Sequence, residues 1–220
     1  MILFFLSLLF LFNCGDYKDD SFNSLSESFI RWYNKNHPVE STMKNIQKYN
    51  NSYRQNDYKE KERYILDLNR FYFELSQINS KKLNTVNQLE YSRLEETMIK
   101  LLYIEENVRP SEWRPSVKLI ELKDGLKSLL DYDYLTMKNK MGFLNNRLIE
   151  ISKILNNTLI NLVFLSKEEY DKCSLIIDLI NNYLDSIEIN IDFDDSSFDK
   201  IIFQVDKLKN NLKNYKNQLK

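Results

Sequence analysis

The sequence predicts an all-α protein, with a single domain of about seven to eight mostly antiparallel helices after a signal segment. Two observations carry this prediction. The 220 residues include only three glycines and three prolines, too few for the many turns of a sheet protein. Apolar residues recur at helical spacing of three and four along almost the whole chain. A hydrophobic content of 43% excludes a disordered chain.

The first element is an apolar run over residues 2–12, interrupted only by Ser7. It is too short for a membrane-spanning helix, which needs roughly 20 residues, and it has the length of a signal-peptide core. The run ends in Leu11-x-x-Cys14, a pattern typical of bacterial lipoprotein signals. We therefore expect residues 1–13 to be a signal peptide and Cys14 to carry a diacylglycerol. A plain signal peptide and a cytoplasmic chain are the open alternatives.

Lipidation of Cys14 would make this an exported, membrane-anchored lipoprotein, in the periplasm or on the cell surface. The polar residues that follow predict an anchor and tether over 14–24, before a helical domain over 25–220. If Cys14 is lipidated, Cys173 is the one remaining thiol. Cys173 lies in a helical stretch, where a buried apolar role is expected of it.

The first half of the domain divides into short and long helices. A mostly aromatic stripe over 25–33 predicts a first short helix, which ends at His37-Pro38. Pro38 suits the first turn of a following helix over Val39–Lys48. A polar loop over 49–56 precedes Asp57-x-x-Glu60, a capping box that opens a helix to Asn79. A second box, Thr85-x-x-Gln88, opens a helix to about Asn107. The residues expected to face inward in these two helices are Tyr64, Leu68, Phe71, Leu75, Ile78, Leu89, Leu94, Met98, Leu101, Leu102 and Ile104.

The second half begins after a structured connection over 109–115. A helix is expected over 116–131, and Asp133 is the expected cap of the next. Ser166-x-x-Glu169 is the clearest capping box of the chain. Residues 187–196 alternate apolar and polar and predict an extended connection before a last helix that starts at Ser197. Inward positions in these helices are Val117, Ile120, Leu126, Leu129, Leu130, Leu135, Met137, Met141, Leu144, Leu148, Ile151, Leu175, Ile176, Leu179, Ile180 and Leu184.

The composition and the motifs of the sequence predict that this chain alone is not a catalyst. The net charge is -1, without the basic excess that nucleic-acid binding requires, so no nucleic acid is expected as a partner. No HExxH, Gly-x-Ser-x-Gly, P-loop or CxxC motif is present. His37 is the only histidine, and a His-Pro turn favours a capping or packing role for it. We therefore assign no catalytic residue, metal ligand or cofactor to this chain.

Several segments together resemble the start of one bacterial family. They are Phe29-Ile30-Arg31-Trp32-Tyr33, His37-Pro38-Val39-Glu40-Ser41-Thr42, Tyr49-Asn50, Trp113-Arg114-Pro115, Gly125-Leu126, Leu129-Leu130, Leu144-x-x-Arg147-Leu148-x-x-Ile151, Leu155 and Asn161-Leu162. This pattern resembles the domain-of-unknown-function family eight-eight-five, exported helical proteins related to HExxH zinc metallopeptidases. The resemblance covers about residues 25–219, and Ser152 stands where the family has proline.

The resemblance implies that this chain corresponds to the helical N-terminal half of such a protein, which walls one side of a substrate groove. Zinc, its ligands and a carboxypeptidase-like activity would belong to a C-terminal half. The matching residues, which we expect to be structural, are His37, Pro38, Thr42, Trp113, Arg114, Pro115 and Arg147. Trp113 is the expected packed anchor, and the arginines are expected to tie helices together.

Two functional hypotheses follow. The chain is the non-catalytic N-terminal portion of an exported, lipid-anchored zinc peptidase-like protein, truncated before its catalytic half. Alternatively, it is a complete helical envelope lipoprotein that acts as a binding or structural module, with a protein partner in place of the missing half.

Overall fold

The computed structural model describes the backbone of residues 2–131, 135–190 and 196–220, and the side chains of residues 19–131, 135–187 and 199–220. The predicted all-α class is confirmed, since these ranges contain eight α-helices and no strand. The α-helices are α1 (Ile2–Asn36), α2 (Pro38–Met43), α3 (Tyr58–Ser76), α4 (Thr85–Tyr103), α5 (Pro115–Asp131), α6 (Met137–Asn161), α7 (Lys167–Asn190) and α8 (Ser196–Gln218). Single helical turns at Gln47–Tyr49, Ser80–Lys82, Ile104–Val108 and Pro110–Glu112 join them.

The contacts of the chain divide this helical fold into two compact units. The first unit is formed by Met1–Tyr33 and Glu62–Val108, and the second by Asn34–Lys61 and Arg109–Lys220. Each unit has a hydrophobic core of its own. Because both units are built from discontinuous segments, no single cut along the sequence separates them.

The core of the first unit lies among α1, α3 and α4 and is rich in aromatic side chains. The Trp32 ring centroid lies 4.8 Å from that of Tyr64 and 5.5 Å from that of Phe71. Phe71 also meets Phe29 edge to face at 5.6 Å. Such pairs stabilise a core beyond the area they bury. The indole Nε1–H of Trp32 donates to Asp67 Oδ2 at 3.1 Å, so the polar end of the ring is also satisfied.

Residues 14–24 were predicted to form an anchor and a polar tether. The side chains of residues 19–24 are described, and there the structure shows a packed helix instead. Residues 19–24 continue α1 without a break. Phe22 is only 1% exposed and belongs to the first core. Asp19 accepts hydrogen bonds from the Asn84 backbone N–H at 3.2 Å and from Asn87 Nδ2 at 2.8 Å. The packed part of the chain therefore begins before residue 25, because Phe22 inserts into the first core from an otherwise polar stretch.

The second unit buries the apolar faces of α5, α6, α7 and α8 against one another, and α2 packs on α5. Its fully buried residues include Leu119, Leu122 and Leu126 of α5 and Leu144 of α6. Cys173 is completely buried in the same core, as the sequence predicted. This core positions the loop over 49–56 and the residues that surround it.

Two of the predicted capping residues act as predicted. Asp57 Oδ1 accepts from the Glu60 N–H at 3.1 Å, and Ser166 Oγ accepts from the Glu169 N–H at 3.1 Å. Helix α4 is capped instead by Asn84, whose side chain accepts from the Asn87 N–H at 2.9 Å. Helix α6 is capped by Thr136, while the expected cap, Asp133, lies outside the described residues.

Several residues expected to face inward are exposed. The set comprises Leu89, Val117, Ile120, Met137, Leu175 and Leu179. Helix α5 shows the reason, because it is apolar on both sides and its neighbours cover the side that carries Leu119 and Leu122. Residues 187–190, expected to be extended, continue α7, and Ile187 is buried. The rest of that predicted connection, 191–195, lies outside the described residues.

Candidate functional site

The predicted lipidation site lies on α1. The side chain of Cys14 is outside the described residues, so its modification stays a prediction. Within the described part of the chain, every helix is too short or too polar to cross a bilayer.

The residues that match the family pattern converge in part on Arg147. This side chain is completely buried. Its guanidinium donates from Nη2 to Thr42 Oγ1 at 2.6 Å and from Nη1 to the carbonyl of Gly125, and it lies over the Tyr53 ring at 5.1 Å. Through these contacts Arg147 joins α6 to α2, α5 and the loop over 49–56.

The His-Pro turn is linked to the same cluster through Thr42, whose hydroxyl donates to the Pro38 carbonyl at 3.0 Å. Pro38 occupies the first turn of α2, as predicted. His37 precedes it and makes no side-chain cap hydrogen bond, so of its two expected roles the structure shows packing. Burial, helped by the positive charges of Arg54, Lys118 and Lys44, lowers the pKa of His37 to about 3.

Trp113 and Arg114 do not have the expected roles. Trp113 is 42% exposed, and the Arg114 guanidinium lies over its ring at 5.4 Å rather than joining two helices. The main chain anchors this connection instead, because the Glu112 carbonyl accepts from the N–H groups of Val163 and Phe164 at 2.8 and 3.1 Å. Pro115 is buried and begins α5.

Tyr53 is the residue that sequence reasoning missed. Its hydroxyl donates to the Leu122 carbonyl at 2.7 Å, and its ring fills the space that a side chain at Gly125 would occupy. A methyl group at Gly125 would clash with that ring, which explains a glycine in the middle of α5. The sequence did contain a sign of this close approach. Gly125 lies in the middle of a predicted helix, in a chain with only three glycines.

A polar cavity of about 560 Å³ lies beside Tyr53 in the second unit. Its lining carries three cationic side chains, two carboxylates and several neutral hydrogen-bonding groups. The lining residues are Lys35, Asn36, Lys48, Tyr49, Ser52, Tyr53, Arg54, Gln55, Glu60 and Glu150. Its volume falls within the range of small-molecule sites, and its lining is more polar than usual for them.

Two contacts fix the backbone of this cavity wall. Glu150 Oε2 accepts from the Tyr53 N–H at 2.8 Å. Lys118 Nζ donates to the Arg54 carbonyl at 3.0 Å and contacts Glu121 Oε2 at 2.7 Å. With the Tyr53 hydroxyl bond, these contacts hold the loop against both α5 and α6. The cavity is therefore shaped by the core of the second unit, although the loop over 49–56 supplies half of its lining residues.

The described residues offer no site for the zinc that the family resemblance implies for a full-length protein. No three His, Cys, Asp or Glu side chains among them lie close enough together to hold a metal ion. Burial raises the pKa of the Cys173 thiol to about 12, so this thiol is protonated at neutral pH and is a poor nucleophile.

No protein-family profile matches the sequence, and no curated protein matches it. The fold is similar to a solved structure from Shewanella oneidensis, described as a "putative lipoprotein of unknown function". The TM-score is 0.70 at 12% sequence identity, over 90% of this chain and 37% of that chain. This chain thus spans little more than a third of that protein's length. At such low identity the likeness shows a shared helical fold.

Proposed function

We propose that this chain is an exported helical lipoprotein, anchored through Cys14, that acts as a binding module of the cell envelope. The likeness to a lipoprotein over 90% of the chain carries the proposal. It coincides with an independent feature of the sequence, the apolar run that ends in Leu11-x-x-Cys14. A binding role is supported by the polar cavity beside Tyr53.

The course of α1 determines where such an anchor would hold the protein. Asp19 contacts the start of α4 and lies only five residues after Cys14 along α1. At a rise of about 1.5 Å per residue, this corresponds to roughly 8 Å. An acyl group on Cys14 would therefore keep the first unit directly at the membrane surface, without a long spacer.

Fatty-acid labelling in bacteria tests the anchor. We expect the full chain, expressed with its natural N-terminus, to incorporate an alkyne-tagged fatty acid and to fractionate with membranes. Cys14→Ala should abolish both the label and the membrane association. Cys173→Ala is the matched control and should retain the label, because Cys173 is buried in the core.

The outcomes separate the alternatives. An unlabelled wild-type chain that is exported and soluble would support a plain signal peptide and contradict the lipoprotein proposal. Label that persists in Cys14→Ala would place the acyl group elsewhere and would also contradict it.

A second proposal concerns a larger protein, and the coverage of only 37% of the similar structure favours it. In this proposal the chain is the helical, non-catalytic portion of a zinc peptidase-like lipoprotein whose ligands lie in another segment. Sequencing the source gene beyond the Lys220 codon tests it. An in-frame or frameshifted HExxH segment would support the proposal, and unrelated sequence after a stop codon would refute it.

A further inference from the structure

We propose that the cavity beside Tyr53 binds a small zwitterion, a ligand with an acidic group at one end and an ammonium group at the other. The proposal rests on the proposed binding role but is independent of the lipid anchor. A binding measurement and the labelling experiment can therefore fail separately.

One side of the ligand would meet hydrogen-bond donors. Lys35 and Lys48 line the cavity, and neither forms an ion pair with another described residue. Arg54 adds a third positive charge, and Asn36 and Ser52 add neutral donors. A carboxylate or phosphate is the group that such donors bind best.

The other side of the ligand would meet acceptors. Glu60 and Glu150 bring two carboxylates to the lining. The Gln55 side chain adds a neutral amide to the lining. An ammonium group supplies three N–H donors and the positive charge that the two carboxylates favour.

The mixed charge of the lining is what selects a zwitterion over a simple ion. A ligand with only negative charge would be repelled by Glu60 and Glu150, and a ligand with only positive charge by the lysines and Arg54. Two common sources have the required chemistry: free α-amino acids and the phosphoethanolamine headgroup of membrane lipids. Both are small enough to enter a cavity of about 560 Å³.

Isothermal titration calorimetry on the full chain, purified from whole-cell extracts in dodecyl maltoside whether or not it is membrane-bound, tests the proposal with two matched sets of probes. The first set is L-norleucine, hexanoate and pentylamine. The second is glycerophosphoethanolamine, glycerol 3-phosphate and ethanolamine. In at least one set, we expect the zwitterion to bind about tenfold or more tightly than either singly charged analogue, as expected for loss of one charge-assisted contact. The set that shows this preference identifies the source.

Substitutions in the lining assign the binding to this cavity. We expect Lys48→Gln to weaken binding of the preferred zwitterion about tenfold through its acidic group, and Glu60→Gln to do the same through its ammonium group. Lys59→Gln and Glu62→Gln remove the same charges from exposed neighbours outside the cavity and should leave binding unchanged. Circular dichroism of all four variants verifies that they are folded.

Three results would overturn the proposal. One is that none of the six probes binds, and another is that in both sets a singly charged analogue binds as tightly as its zwitterion. The third is full affinity in Lys48→Gln or in Glu60→Gln, since that side of the cavity would then make no contact with the ligand.

Discussion

His37 shows how its surroundings can suppress the charge of a single residue. Its Nδ1 lies 3.8 Å from Glu40 Oε1, a contact that by itself would favour the protonated ring. Burial of the imidazole is the larger effect, and the nearby cations Arg54, Lys118 and Lys44 act in the same direction. The neutral ring therefore prevails in the folded protein, and a role as general acid at neutral pH is disfavoured.

This gives a prediction for the pH dependence of stability. The pKa of His37 is about 3 in the folded chain and about 6.5 when unfolded, so below pH 6.5 the unfolded chain binds a proton that the folded chain does not. The free energy of unfolding should therefore fall as the pH drops from about 6.5 toward 3. Between pH 6.5 and 5.0 the expected loss is about 2 kcal/mol, measured by urea unfolding.

His37→Gln supplies the control, because it should lack this part of the pH dependence while keeping that of the carboxylates. Nuclear magnetic resonance of the single imidazole gives a direct check. A titration midpoint near 6.5 in the folded chain would contradict the prediction.

Arg147 and Trp113 show how far residue roles could be predicted from the sequence. Both were expected to be structural, and Arg147 is, because a buried guanidinium must find acceptors and Thr42 and Gly125 provide them. Trp113 is largely exposed, because the backbone bonds of Glu112 already hold its connection in place. The cavity was not predicted, since residues as distant as Lys35 and Glu150 line it together and no local pattern joins them.

Among the elements, the start of α7 shows a capping box that serves two helices. Ser166 caps α7 as predicted, but the buried carboxylate of Glu169 accepts instead from the Ser116 N–H at 3.0 Å. That N–H belongs to the first turn of α5 and has no partner within its own helix. Glu169 therefore ties the N-termini of α5 and α7 together.

We expect Glu169→Ala to lower the free energy of unfolding of the second unit by about 2 kcal/mol, because it leaves a buried N–H without an acceptor. Glu168→Ala is the matched control. The Glu168 side chain is 79% exposed and pairs with Lys172 on the surface, so its loss should have a much smaller effect on stability. Urea unfolding followed by Trp113 fluorescence measures both variants, and equal effects would contradict the assigned role.

Helix boundaries were more predictable than helix faces. Capping residues act over three positions of the chain, so Asp57 and Ser166 could be recognised locally. Which side of α5 is buried depends on where α6, α7 and α2 pack, and the sequence of α5 carries apolar residues on both sides. The expectation for Val117 and Ile120 failed for that reason.

For the whole molecule, the consequential feature is that the described side chains form two hydrophobic cores. The helical spacing of apolar residues predicts the all-α class, but it contains no information on how helices group into cores. The division becomes visible only in long-range contacts, since both units combine segments distant in sequence. One tryptophan lies in each unit, Trp32 in the first and Trp113 in the second, so each core has its own spectroscopic reporter.

The two tryptophans test whether each unit depends on its own core and whether the packed part of the first unit begins before residue 25. In a Trp113→Phe background, Phe22→Ala should lower the unfolding free energy reported by Trp32 by about 3–4 kcal/mol, the usual cost of removing a buried aromatic ring. In a Trp32→Phe background, Leu126→Ala should lower the value reported by Trp113 by about 3 kcal/mol. Ile30→Ala and Ile120→Ala, at exposed positions, should change either value by less than about 0.5 kcal/mol. If Phe22→Ala has no larger effect than Ile30→Ala, residues 19–24 are the tether that the sequence predicts, and the acyl group on Cys14 would hold the protein through a spacer.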